Sequence, residues 1–210
     1  MLTAHGAVAP GTSRAQSKVW YPFGRKPIVA VESRQIPLGT PAPAFQLTSI
    51  EGDTVALDDL KGPALLVAFV CNHCPYVRHI ETEFGRVARE YAASGLATVA
   101  ICSNDTEAYP DDKPEALREQ AKRAGWEFPY LVDATQEVAR AYGAECTPDL
   151  FVFDAQRTLA YHGAFDASTP GNNVPVTGDL LRGALDLILA GKPVPEPHRP
   201  AMGCSLKWKQ

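Results

Sequence analysis

The sequence predicts an α/β domain with a central mixed β-sheet flanked by helices on both faces, extended by an N-terminal arm and a C-terminal segment. Three observations carry this. "ALLVAFV" (64–70) and "LATVAIC" (96–102) are continuous apolar runs of strand length, as expected of strands buried on both faces. Between them Val77, Ile80, Phe84, Val87 and Tyr91 recur at three- and four-residue steps with charges between, the spacing of a helix with one apolar face. Finally, strand and helix patterns alternate along the first part of the chain, and an apparent hairpin around Asp154-Ala155-Gln156 comes late.

Residues 1–35 are read as a poorly ordered arm. They carry no acid before Glu32 and no sustained apolar period, the composition of a leader extension or, more weakly, of an organelle transit peptide. The domain proper is placed at 36–191. It opens with "APAFQL" and "TVALDDL" around the turn chemistry of Glu51-Gly52-Asp53, a strand or hairpin. "KPEALREQAKRAG" (113–125) predicts a helix started by Pro114 and stopped by Gly125. "FPYLVD", "DLFVFD" and "TLAYHGAF" predict strands, with "TQEVARAYG" as a short helix between the first two. "GDLLRGALDLILAG", with Leu180, Leu181, Ala184, Leu185, Ile188 and Leu189, closes the domain as an amphipathic helix. Residues 192–210 form a proline-rich extension: "KPVPEPHRP" runs extended and leads into "AMGCSLKWKQ".

At 210 residues the chain suits one core. Apolar residues at 45% and a formal charge of −4 describe a globular mixture with no electrostatic reason to bind nucleic acid or an anionic membrane. No apolar run approaches the roughly 20 residues that span a bilayer, and the N-terminus lacks a secretory pattern, so a cytoplasmic protein is expected. Five scattered cysteines, Cys71, Cys74, Cys102, Cys146 and Cys204, are not a disulfide scaffold. In a reducing compartment a CxxC is redox-active or metal-binding.

That motif, "CNHCP" (71–75), stands between the apolar strand and the amphipathic helix. A helix N-terminus offers unpaired N–H groups and partial positive charge, which lower a thiol's pKa and favour the attacking thiolate. Taken alone, the motif leaves open whether Cys71 or Cys74 attacks. Cys102 ends an apolar strand and reads as core; Arg78 reads as a solvated surface cation.

With "TPDLFVFD" (147–154) as a second motif, the sequence resembles the thioredoxin superfamily over about 36–191, in its extended redoxin branch, and a thioredoxin-like fold is implied. In that family the proline of the second motif is cis and lies against the active-site disulfide; Pro148 matches it, preceded by Thr147. The resemblance implies Cys71 as nucleophile, Cys74 as resolving thiol, and Thr147 and Asn72 as substrate contacts. His73, between the sulfurs as in oxidising members, implies a stabilised Cys71 thiolate. Peroxiredoxins place a threonine three residues before their attacking cysteine and an arginine at the proline position; Cys71 and Pro148 stand there instead. Thioredoxin's buried acid corresponds to Ala68, so a substitute acceptor is required.

The implied function is a thiol-disulfide oxidoreductase acting on protein or small-molecule disulfides and thiols, with an unidentified electron donor, no cofactor, no metal, and neither nucleic acid nor membrane as partner. Two alternatives stand beside it: a thiol peroxidase using Cys74, and a Cu or Zn thiolate module using Cys71, Cys74 and a histidine or Cys146. Cys146 and Cys204 are auxiliary thiols, Cys204 a second resolving thiol if the tail folds over Cys71.

Overall fold

The computed structural model describes residues 17–19 and 28–210. In chain order the elements are β1 (Ser17–Val19), β2 (Ile28–Glu32), β3 (Gln46–Ser49), β4 (Thr54–Ala56), β5 (Ala64–Phe69), α1 (Pro75–Ala92), β6 (Leu96–Cys102), α2 (Pro114–Ala124), β7 (Tyr130–Val132) and α3 (Glu137–Tyr142). There follow β8 (Cys146–Thr147), β9 (Asp149–Phe153), β10 (Leu159–Gly163), α4 (Asp179–Leu189) and β11 (Met202–Ser205).

Seven strands form the main sheet in the order β10-β9-β5-β6-β7-β3-β4. The centre is parallel, β5 to β6 and β6 to β7, and both flanks are antiparallel. All six residues of β5 are buried, as its unbroken apolar run requires of a strand covered on both sides. Alternation along β5 divides the core. Leu66 and Ala68 join Val77, Ile80 and Phe84 of α1, Leu117 of α2 and Leu181 and Leu185 of α4 on one face. Leu65, Val67 and Phe69 meet Ala139 and Tyr142 of α3 on the other. Each fully buried large aliphatic side chain contributes about 1.5–3 kcal/mol. α2 ends where Gly125 adopts φ +67°, a left-handed conformation cheap only for glycine.

The domain boundaries differ from the expectation at both ends. Ile28–Glu32 of the arm is a strand, and the extension's Met202–Ser205 pairs with it antiparallel, Met202 opposite Glu32 and Cys204 opposite Ala30. A second sheet, ordered β1-β2-β11-β8, results. Four apolar residues in "IVAV" are too short a pattern to stand as a strand alone; the partner edge 170 residues away supplies the hydrogen bonds. The leader expectation concerns residues that lie largely outside those described. Among the described residues no helix is long and apolar enough to cross a membrane.

Candidate active site

β5 delivers Cys71 two residues past its end, and Cys74 is the N-cap of α1 with Pro75 at the first helical position, where a missing N–H costs nothing. Both sulfurs are fully buried in one core cluster, and each shifts the ionisation of the other. Both also rest on one residue of the second motif. Cys71 Sγ lies 3.4 Å from Thr147 Oγ1, and Cys74 Sγ lies 3.1 Å from Thr147 O, to which the thiol donates when protonated. The Thr147–Pro148 peptide bond is cis.

His73 turns inward, its Nδ1 2.6 Å from Asp112 Oδ2, and its ring stacks on Tyr109 at 5.0 Å. Asp112 was not anticipated. Fully buried in the turn before α2, it also accepts from the backbone amides of Asn72 (2.9 Å) and His73 (3.1 Å) and from Asn104 Nδ2 (2.9 Å). Three amide donors and the imidazole thus converge on its two oxygens, which answers the cost of burying a polar group. Asp112 stands beside Cys71 and His73, whereas the acid missing at Ala68 is the one that would serve the resolving thiol Cys74. The only signal was an acidic pair between prolines in "YPDDKP", with nothing to direct it to a motif 40 residues earlier. Cys71 Sγ and ligand atoms of His73 and Asp112 lie within 4.8 Å of one another, the one such cluster among the described residues and the set that could hold a zinc-like ion.

Asn72, expected to touch substrate, has its hydrogen bonds directed inward. Its Nδ2 donates to Asp111 O (2.8 Å) and its Oδ1 accepts from Arg123 Nη2 (3.1 Å). Arg123 in turn grips the buried Glu81 at 2.7 and 2.9 Å, and Gln120 Nε2 donates to Cys71 O (3.2 Å). These bonds hold the motif's backbone rather than a ligand. Arg78 is exposed and donates to Asn72 O (2.7 Å), so it braces the loop and does not meet a thiolate. Cys146 alternates away from Thr147 along β8, its thiol directed at Pro148 O (3.5 Å), and Cys102 is buried core. Cys204 does reach the site, fully buried opposite Thr147, and its ionisation responds to Cys74 rather than Cys71.

The electrostatics correct the expectation that Cys71 carries the lowered pKa. Burial pushes the Cys71 thiol well up, reinforced by its bond to Cys74 and the negative charge of Asp112. Burial also opposes ionisation of Cys74, but hydrogens offered by Cys204, Cys71, Thr147 and the Val77 amide outweigh it and hold Cys74 well below the ordinary thiol range. Cys74 is the sulfur at the helix terminus, whereas Cys71 stands three residues before it, beside the carboxylate. The Cys204 thiol is pushed up by donating to Cys74 and by burial.

The protein shares its fold with a solved thioredoxin family protein from Chlorobium tepidum, 24% identical over 74% of this chain and 99% of its own, with a TM-score of 0.57. The model of the AhpC/TSA family matches residues 38–162. A solved, uncharacterized conserved protein from Geobacillus kaustophilus is 50% identical over 86% of this chain and 96% of its own, with a TM-score of 0.83. The thiol-disulfide oxidoreductase ResA of Bacillus thuringiensis is 24% identical over 59% of this chain and 67% of its own. A Mycobacterium tuberculosis protein provisionally named a peroxiredoxin is 32% identical over 50% of this chain and 63% of its own. This chain belongs to the AhpC/TSA family and has a thioredoxin-like fold.

Proposed function

We propose that the protein is a thiol-disulfide oxidoreductase in which Cys71 and Cys74 cycle between dithiol and disulfide. The observation that carries this reading is the mutual contact of the two thiols on Thr147, which needs only removal of two electrons and two protons to close into a disulfide. In the oxidised protein a substrate thiolate attacks Cys71 Sγ, the Cys71–Cys74 bond breaks, and Cys74 leaves as the thiolate its donors stabilise. A second substrate thiolate then attacks the substrate sulfur of the mixed disulfide. The products are an oxidised substrate and the reduced pair. A low-pKa leaving group speeds the first step and stabilises the reduced form, which favours the oxidising direction. The His73–Asp112 couple is placed to accept or return the Cys71 proton, since its ligand atoms lie within 4.8 Å of that sulfur. Dithiols of proteins or small molecules are the substrates this chemistry takes.

The test is to mix oxidised Cys74→Ser protein, activated at Cys71 with a small aromatic disulfide, with a reduced dithiol peptide. An adduct mapped to Cys71, and turnover lost in Cys71→Ser, are expected; an adduct that forms only on Cys74 of Cys71→Ser protein activated in the same way overturns the assignment. The reduction potential of the pair should lie well above thioredoxin's, which is about −270 mV.

A second reading, a thiol peroxidase attacking through Cys74, is favoured by the acidity of that sulfur. It requires rapid consumption of hydrogen peroxide with Cys74 trapped as a sulfenic acid, and the absence of trapping at low peroxide excludes it.

A further inference from the structure

The edge of the chain that leads into Pro148 is already occupied. β11 pairs antiparallel with β8, placing Cys204 opposite Thr147 and Ser205 opposite Cys146. The two strands approach so closely at Gly203 that a Cβ there would lie 2.0 Å from Thr147 O, the same oxygen that Cys74 Sγ contacts. The segment is tied down on its far side as well: Leu206 N donates to Glu145 O (3.0 Å), Lys207 N to Asn104 Oδ1 (2.8 Å), and Asp105 N to Lys207 O (2.8 Å). Cys204 therefore does not sit on a loose tail. It is fully buried in the same core cluster as Cys71 and Cys74, and its strand packs against α1, whose N-cap is Cys74; Cys74 and Cys204 shift each other's ionisation in opposite directions. Cys74 thus has two thiol neighbours, Cys71 on one segment and Cys204 on another.

We infer that Cys204 is a third redox thiol of the site, exchanging with the Cys71–Cys74 disulfide so that the oxidised protein also exists with Cys74 linked to Cys204 and Cys71 free. The inference rests on the Cys71–Cys74 reading above; the two-electron oxidation that forms the Cys71–Cys74 disulfide comes from a small-molecule or protein disulfide oxidant, which is itself reduced to two thiols. The exchange itself is electron-neutral. Cys204 loses its proton and its sulfur attacks Cys74 Sγ; the Cys74–Cys204 bond forms as the Cys71–Cys74 bond breaks, and Cys71 leaves with the electron pair and takes up one proton. Cys71 is then a thiol able to engage a second disulfide while the oxidising equivalent stays stored beside it. Cys146, on the neighbouring strand, takes no part, its thiol being directed at Pro148 O.

The test uses the full chain oxidised with glutathione disulfide, quenched in acid, alkylated and mapped by non-reducing peptide mass spectrometry. In wild type, Cys71–Cys74 and Cys74–Cys204 cross-links are both expected, with Cys71 alkylated in the second population. In Cys204→Ser the alkylation of Cys71 in oxidised protein should fall at least tenfold, and in Cys71→Ser the Cys74–Cys204 cross-link should predominate over a glutathione adduct on Cys74. Equal labelling of Cys71 in wild type and Cys204→Ser, or a Cys71→Ser protein carrying only the Cys74 adduct, overturns the inference. Failure of the parent reading is distinguishable: the Cys71–Cys74 cross-link would then be missing from both wild type and Cys204→Ser.

Discussion

Asp112 Oδ2 lies 2.6 Å from His73 Nδ1 while its Oδ1 accepts the amides of Asn72 and His73, so one buried carboxylate fixes both the ring and the backbone between the two reactive cysteines. Its charge also opposes ionisation of Cys71. Asp112→Asn should therefore lower the Cys71 pKa, seen as an earlier thiolate absorbance in an ultraviolet titration of Cys74→Ser protein. Asp112→Ala, which leaves several buried donors unpaired, should destabilise the fold by about 2–4 kcal/mol in denaturant unfolding. An unchanged titration in the asparagine variant would remove Asp112 from the proton chemistry.

Reduced protein should gain stability with pH across the neutral range. The folded pKa of Cys74 lies well below the ordinary 9.0, so between the two values the folded state holds a thiolate where the unfolded chain holds a thiol. That contribution is fully present above 9.0 and is lost as pH falls through the folded value. Cys71 and Cys204, with raised pKa values, act in the opposite sense and cost stability only above the ordinary thiol range. Melting temperature against pH for wild type and Cys74→Ser isolates the effect: the variant's profile should be flatter below the ordinary value.

Thr147→Val keeps the shape of the side chain and removes the hydroxyl 3.4 Å from Cys71 Sγ. Because that residue helps lower the Cys74 pKa, the variant should raise it and slow dithiol oxidation about three- to tenfold. The stability cost should stay near 1 kcal/mol, since one neutral hydrogen bond is lost. Stopped-flow oxidation of a dithiol peptide against pH separates the shifted pKa from a general loss of folding.

Gly203→Ala tests the cover over the site. A methyl group 2.0 Å from the Thr147 carbonyl must push β11 off β8, and overpacking of this kind costs about 1–3 kcal/mol. The melting temperature should fall, and alkylation of Cys74 under native conditions should speed up. A variant that melts lower with Cys74 still protected would show that β11 is not what shields the sulfur.

Local pattern was sufficient for much of this molecule. The buried runs became β5 and β6, the three- and four-residue spacing became α1, Pro114 and Gly125 bound α2, and "CNHCP" sits at the strand–helix junction, because burial periodicity and terminus chemistry act over a few residues. The relation of that motif to Thr147 and Pro148 was legible only through the family resemblance.

What the sequence by itself determined is the sheet core, the helix that follows Cys74, and the two motifs that meet. Tertiary structure alone supplied three things: the Asp112 carboxylate beside His73 and Cys71, the closure of β2 and β11 over the second motif with Cys204 opposite Thr147, and a Cys74 pKa pushed down where that of Cys71 is pushed up. The physical reason is common to all three. Hydrogen bonds and charges act through space, and beside the local Val77 amide and the cysteine pair itself, the groups that set these sulfurs' ionisation, Asp112, Thr147 and Cys204, stand about 40 to 130 residues away in the chain.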